Sequence, residues 1–563
     1  MTKLLRFLGV LCVLCGSAFC LDREAFTFTN YDLNIRVEPE QQRLAVRGRI
    51  SLRNDSQTLQ KNLVLQISST LNWQSIQSSG KPLQFETHQY TSDIDHTGGL
   101  TEAVVELPQS VPPKGTIDFD IGYEGVVLLD ATRLTRIGVP EDRAKHIEWD
   151  QISRKFTAVR GIGYVTWYPV ATEAANLSEG NSVEETVSRW KAREAEFPMS
   201  VTIESTASVA VLFSGEPKSA PKDANRQDAA GFTLGKPGID APTFVIAEYS
   251  QLPLANQITV QYLASQQQAA KDYADVAGQL QPVLPVSKGA PTLQILGLPD
   301  LDAASFVTRG MLLIPLKTEL TNEAELAMVY AQARQSLISS RPWIQDGLAH
   351  YAQVAFIEKL QGRQAALSYL AAHSKTLVDA EKSAKVEDRH ALIDGVDEIV
   401  LQTKSMYVWW MLKDMLGGSP NDALAQYDNS KDNDPAAMEH LLETSSGKNL
   451  QWFFDDWVYH DGSLPDFRID SVFPSTLEKG GFLVTVTVEN KGETGAEVPV
   501  TLKTGDSEIH QRLEVRGKSK ASVRIETASA PTEVTVNDGS VPESDISNNQ
   551  FKISSLPSNP SVR

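Results

Sequence analysis

Cysteine is nearly missing from this chain: its 563 residues hold three, Cys12, Cys15 and Cys20, all at the extreme N-terminus. Cleavage of a leader near Ala18 or Cys20 would leave at most one thiol. That excludes a disulfide framework and a thiolate metal site, and no nucleophilic cysteine is expected in the mature chain. Histidine is sparse as well, nine in all, and no two lie closer than His88 and His96. No H-x-x-x-H or H-x-H pair exists, and no histidine falls between His146 and His350. Positive charge is in deficit, 52 Lys and Arg against 71 Asp and Glu, for a net charge of -19. A surface of that sign repels phosphate backbones, which argues against nucleic acid as a partner. No apolar run approaches the ~20 residues that span a bilayer, so no transmembrane span is expected. There is no G-x-S-x-G elbow, no Walker loop and no dinucleotide fingerprint.

What is present begins with a leader. Lys3 and Arg6 precede an apolar run from Phe7 to Leu14 and the small residues Gly16, Ser17 and Ala18. This is the layout of a secretory signal peptide over residues 1–20, so the protein is expected to be exported, periplasmic or extracellular. Lipidation of Cys20 is an alternative, although Phe19 stands where a small residue is wanted. At this length about three domains are expected, because single cores stop growing near ~250 residues. The 41% hydrophobic and 22% charged composition suits packed domains rather than extended disorder.

Residues 22–252 alternate with period two, as in Tyr31-Leu33-Ile35-Val37 and Ile50-Leu52, which predicts antiparallel strands. Residues 253–465 change to helical spacing in Gln266 to Leu280, Glu323 to Ile338, Ile344 to Leu360 and Met406 to Leu416. Two strand-like runs interrupt this stretch, one from Thr292 and one from Met311 to Pro315. Alternation returns over residues 466–555 in Phe482-Val484-Val486-Val488 and Val498-Val500-Leu502, predicting a small immunoglobulin-like sandwich. The Ser- and Pro-rich tail, 556–563, reads as mobile. The whole is a multidomain α+β chain.

Trp343-Ile344-Gln345-Asp346-Gly347-Leu348-Ala349-His350-Tyr351 resembles the W-L-x-E-G-x-A-x-Y segment of the alanyl aminopeptidase (aminopeptidase N) family of gluzincin zinc metallopeptidases. Lys404-Ser405-Met406 followed by Met411-Leu412, and Phe453-Phe454-Asp455-Asp456-Trp457, are similar to later segments of the same family. Taken singly, these aromatics suit any helical core; their order is what carries the resemblance. It implies a β saddle, a thermolysin-like helical domain and a C-terminal β-sandwich, with a peptide cleft between the first two.

The resemblance also sets a test that this chain fails. The family binds zinc through two histidines four apart on one helix and a glutamate from the next, and the metal acidifies a water for attack on the peptide carbonyl. Here Tyr330, Ala331 and Arg334 fall where the first histidine, the general base and the second histidine should be. Asp346 stands at the glutamate, Gln402 at the tyrosine that would stabilise the oxyanion, and Thr308-Arg309-Gly310-Met311 at the loop that grips a free amine. Arg309, Gly310, Met311 and His350 would then line the cleft. No metal or other cofactor is expected, zinc belonging to the alternative. Asp346 and His350, four apart on one helical face, supply only two legs of a metal site. His146-Ile147-Glu148 is weaker still. Glu148 and Asp150 are set aside as a carboxylate pair on the ground that adjacent strand residues face opposite ways.

Two functions remain in play: a non-catalytic aminopeptidase-like protein that binds peptide or protein in the envelope, or acts there architecturally; and an active metallo-aminopeptidase or other hydrolase with a rebuilt site. One geometric expectation follows from electrostatics. A carboxylate buried without its metal needs another cation, so Arg334 should pair with Asp346.

Overall fold

The computed structural model describes residues 21–22, 25–91, 99–136, 138–161, 166–170, 198–205, 209–218, 229–235, 240–253, 258–287, 290–383, 391–395, 400–505 and 507–554. The leader, Cys20 and the tail 556–563 lie outside the described residues.

The period-two alternation near the N-terminus builds an eight-stranded sheet. Its centre is Met199–Ser205, Phe26–Glu38, Arg43–Asn54 and Thr116–Val126, in that order. Tyr31, Leu33, Ile35 and Val37 point inward and are at most 1% exposed, while the residues between them face out. The sheet is antiparallel with one exception: Phe26–Glu38 runs parallel to Met199–Ser205, with Tyr31 opposite Met199. A parallel partner needs a long connection rather than a hairpin, and local alternation carries no trace of that. Two three-stranded sheets complete this region. One is Gln60–Ser68, Gly99–Val111 and Phe85–Thr91; the other is Ala210–Phe213, Phe244–Ala247 and Phe156–Val159. Two short helices, α1 (Thr132–Arg136) and α2 (Glu141–Ile147), follow the strand that ends at Val126.

The helical region is built on a five-stranded sheet ordered Ser250–Pro253, Ile258–Tyr262, Leu293–Leu298, Met311–Pro315, Phe306–Thr308. The sequence pattern had suggested two strands here. Met311–Pro315 is buried at every position, as expected of a strand covered on both faces. Of helices α3 (Gln267–Gln279), α4 (Asn322–Ser336), α5 (Pro342–Gln361), α6 (Arg363–Ser383) and α7 (Ser405–Leu416), the first two pack on the sheet, and α5 packs on α4, α6 and α7. Thr321 caps α4 by accepting from the Ala324 N–H, and α4 and α5 pack side by side as expected. Gly347 brings α5 against α7: a Cβ there would sit 2.5 Å from the Ser405 Cβ. Trp343 stacks on Trp409 at that crossing, with ring centroids 5.4 Å apart.

The C-terminal strands form a three-stranded and a four-stranded sheet. Val484, Val486 and Val488 of one and Val498, Val500 and Leu502 of the other have no exposed surface. Their shared apolar cluster continues without a break into the helical region, whereas the N-terminal sheets have a core of their own. Among the described residues no helix is long and apolar enough to cross a membrane.

Candidate functional site

Helices α4 and α5 bring the expected positions together. Tyr330 and Arg334 lie one turn apart on α4, and Asp346 and His350 one turn apart on α5, so that two short columns face each other. The Arg334 Nε lies 3.2 Å from Asp346 Oδ1. The Tyr330 hydroxyl donates to the same oxygen, and the Tyr330 and His350 rings are in contact at 4.6 Å. His350 Nε2 is 3.8 Å from Asp346 Oδ2, and its Nδ1 is 3.1 Å from Gln353 Oε1. The ion pair read from the sequence is therefore made.

A partner that the sequence did not suggest completes it. Asp240, at the end of the N-terminal β region and 2% exposed, places Oδ1 3.0 Å from Arg334 Nη1. The same nitrogen donates to the Val307 carbonyl at 3.1 Å, and Gln345 Nε2 reaches Asp240 Oδ2 at 3.4 Å. One guanidinium, itself 8% exposed, thus lies between two carboxylates from different regions of the chain. Burial alone would lower its pKa, but Asp240, Tyr330 and Asp346 outweigh burial and raise it, so the charge is permanent. Burial, seconded by Asp346, pushes the Tyr330 phenol well above its usual value. Burial lowers His350 despite Asp346, which keeps the imidazole neutral near pH 7.

The loop positions fare differently. Gly310 turns the hairpin at φ +70°, a conformation that favours glycine. Its N–H donates to Gln335 Oε1 at 2.8 Å while Gln335 Nε2 donates to the Thr308 carbonyl at 3.1 Å. The Thr308 hydroxyl donates to the Ala241 carbonyl at 2.8 Å. The hairpin is thus clamped to the last turn of α4 and to the β region. Arg309 is half-buried on it. Met311, expected on the cleft wall, has no exposed surface: it sits in a small apolar cluster with Trp149, Phe156, Leu296 and Leu313. Ala331 is buried too. Gln402 is half-buried on a π-turn, Val400–Lys404, that packs on α5.

Glu148 and Asp150 do converge, contrary to the expectation, which held for adjacent residues: these two are separated by Trp149, and residues two apart share a side. Asp150 Oδ2 accepts from Arg160 Nε at 2.8 Å and from Nη2 at 2.6 Å, and Glu148 Oε2 lies 3.3 Å from Nη2. Arg160 also lies over the Trp149 ring, 4.3 Å from its centroid. All three charged groups are buried, which makes this a structural ion cluster with no free carboxylate.

The residues that the resemblance sets at zinc-binding positions do not fit zinc. The metal needs lone-pair donors at ~2.0–2.2 Å. A guanidinium offers none, Ala331 offers none, the Tyr330 phenol keeps its proton, and Asp346 is already engaged by Arg334 and Tyr330. Among the described residues one other group, His146, Asp300 and Asp302, could hold a metal. There His146 Nδ1 is hydrogen-bonded to Asp300 Oδ2 at 2.5 Å and Lys317 lies 3.8 Å from Asp302, so the group is self-satisfied as an ion-pair cluster. The bond to Asp300 holds the His146 pKa above its usual value.

Asp240, Arg160 and Gln335 are not marked in the sequence because no spacing relates them to their partners: Arg334, the Glu148 and Asp150 carboxylates, and the backbone of Thr308 and Gly310.

No protein-family profile matches the sequence, and no curated protein matches it. Solved structures of similar fold include an M1 zinc metallopeptidase from Deinococcus radiodurans, 15% identical over 77% of this chain and 94% of that one, with a TM-score of 0.49. Native yeast LTA4 hydrolase is 13% identical over 79% of this chain and 69% of that one, with a TM-score of 0.48. At these values the likeness says nothing about chemistry, which rests on the side chains described above.

Proposed function

We propose that this chain is an exported, non-catalytic protein of aminopeptidase-like architecture that binds peptide or protein without cleaving it. One observation carries the reading: the Arg334 guanidinium occupies the position that the resemblance gives to a zinc ligand and neutralises the carboxylate beside it. A permanent cation there repels a metal ion and supplies no base to activate water. The leader at residues 1–20 supports export. The outer face of the eight-stranded sheet carries an open polar depression of about 410 Å³ lined by Asp32, Asn34, Arg47, Ser75, Gln77 and Asp120, apart from the Arg309, Gly310, Met311 and His350 positions that the resemblance gives to the cleft.

The test is zinc content by mass spectrometry on the purified mature protein, run beside an aminoacyl-anilide assay and a mixed peptide pool. The expected result is far less than one zinc per chain, no anilide hydrolysis, and retained peptides of unchanged mass. Stoichiometric zinc with turnover would establish the competing reading of a rebuilt metallo-aminopeptidase site.

A further inference from the structure

We propose that Arg334 is an electrostatic latch that holds the N-terminal β region on the helical region, doing with a fixed side chain the charge-neutralising work that a metal cation would otherwise do there. The inference rests on the disagreement between the donor set and zinc, and it concerns architecture rather than turnover. Three segments meet at this one side chain. Asp240 belongs to the β region, the Val307 carbonyl to the hairpin of the central sheet, and Asp346 to α5. The guanidinium suits the task because its nitrogens diverge in one plane: Nη1 serves Asp240 and Val307 while Nε serves Asp346. The Thr308 hydroxyl to the Ala241 carbonyl, and the Gln335 clamp on Gly310, register the same segments around the ion cluster.

The charge count makes this a latch rather than one contact among many. One cation stands between a buried carboxylate, Asp240, and a part-buried one, Asp346, so deleting it leaves two anions facing each other at the joint and drives the segments apart. The two acids are not equivalent. Asp240 reaches across regions, whereas Asp346 lies within the helical region beside α4, so substituting each in turn separates a joint from a local ion pair.

Amide hydrogen exchange on the full mature protein reads this directly. Asp240→Asn should raise exchange at least about tenfold over residues 241–247 and 307–310 with α5 still protected, and Arg334→Met should raise it over the same residues and in α4 and α5 as well, since it removes both pairs. Asp346→Asn should raise it in α4 and α5 and leave 241–247 as in the wild type. Arg334→Lys, a point charge unable to bridge both acids, should fall between wild type and Arg334→Met, and serves if the methionine variant does not fold. EDTA should change nothing in the wild type. The proposal is overturned if Arg334→Met or Asp240→Asn loosens α4 and α5 while 241–247 keeps its protection. It is equally overturned if EDTA alone reproduces the loosening, since a metal would then hold the joint. None of these readouts depends on hydrolysis, so a failed latch leaves the non-catalytic reading to be judged by zinc and anilide alone.

Discussion

Between the N-terminal sheets and the helices this chain buries charge, whereas between the helices and the C-terminal sandwich it buries a continuous apolar core. At the first joint the ion clusters of Arg334 and Arg160 stand around a small apolar cluster that includes Trp149 and Met311. At the second, Phe453, Trp457, Leu464, Phe467 and Val515 belong to one core with the helices, and the Trp457 indole N–H donates to the Gly495 carbonyl at 2.8 Å. Apolar burial is graded: each methylene removed costs roughly a kilocalorie, and the rest stays in place. Paired buried charge is all-or-none, because losing one partner strands the other in a medium that cannot solvate it. The comparison teaches that the first joint depends on a few side chains and the second on very many.

The sharpest way to break this contrast is Arg334→Met. It should destabilise the protein by about 3–5 kcal/mol in urea unfolding, because buried Asp240 and part-buried Asp346 are left without their shared cation. Adding Asp240→Asn and Asp346→Asn should recover most of the loss. If the single substitution costs under about 1 kcal/mol, the first joint is not charge-dependent in the sense argued here.

The sandwich supplies a pH counterpart. Glu543 accepts from Asn537, from Asn549 and from the Phe467 N–H at 3.2 Å, at the first strand beyond the second joint. Burial outweighs these donors and raises its pKa to about 7. A carboxyl with a raised folded-state pKa binds its proton more tightly when folded, so stability falls as pH rises from the unfolded value to about 7. Unfolding free energy should drop by up to roughly 3 kcal/mol across that window. Glu543→Gln should flatten the profile, and an unchanged slope in that variant would assign the effect elsewhere.

Gly347→Ala probes the contact between α5 and α7 inside the helical core. The new methyl would meet the Ser405 Cβ at 2.5 Å, so α5 and α7 must separate, and a loss of about 2 kcal/mol is expected by thermal unfolding. Ser405→Gly in the same chain should restore part of it.

The smallest effect belongs to charge at the rim of the second joint. Arg363 lies 3.1 Å from Asp538, with the two side chains 37% and 31% exposed. Asp538→Asn should cost under about 1 kcal/mol, and less as salt is added. A buried-type loss there would erase the contrast with Arg334.

Local periodicity made much of this molecule legible from its sequence alone. Alternation at Tyr31 to Val37 and at Val484 to Val488 marked half-buried strands and helical spacing marked α4 and α5, while the resemblance, by the positions it gives Arg334 and Asp346, led to the expectation that these two would meet. The alternation and the spacing repeat within a few residues, where backbone geometry couples neighbours directly. Only the tertiary structure decided that Phe26–Glu38 pairs in parallel with Met199–Ser205, that Met311 is covered on both faces, that Glu148 and Asp150 share Arg160, and that Asp240 closes the Arg334 cluster. Each depends on contacts between residues far apart in the chain, whose side chains carry no periodic signature of their partners. Which carboxylate neutralises a buried guanidinium is settled by where packing places it, because the energy of a charge pair depends on separation and desolvation and not on sequence distance.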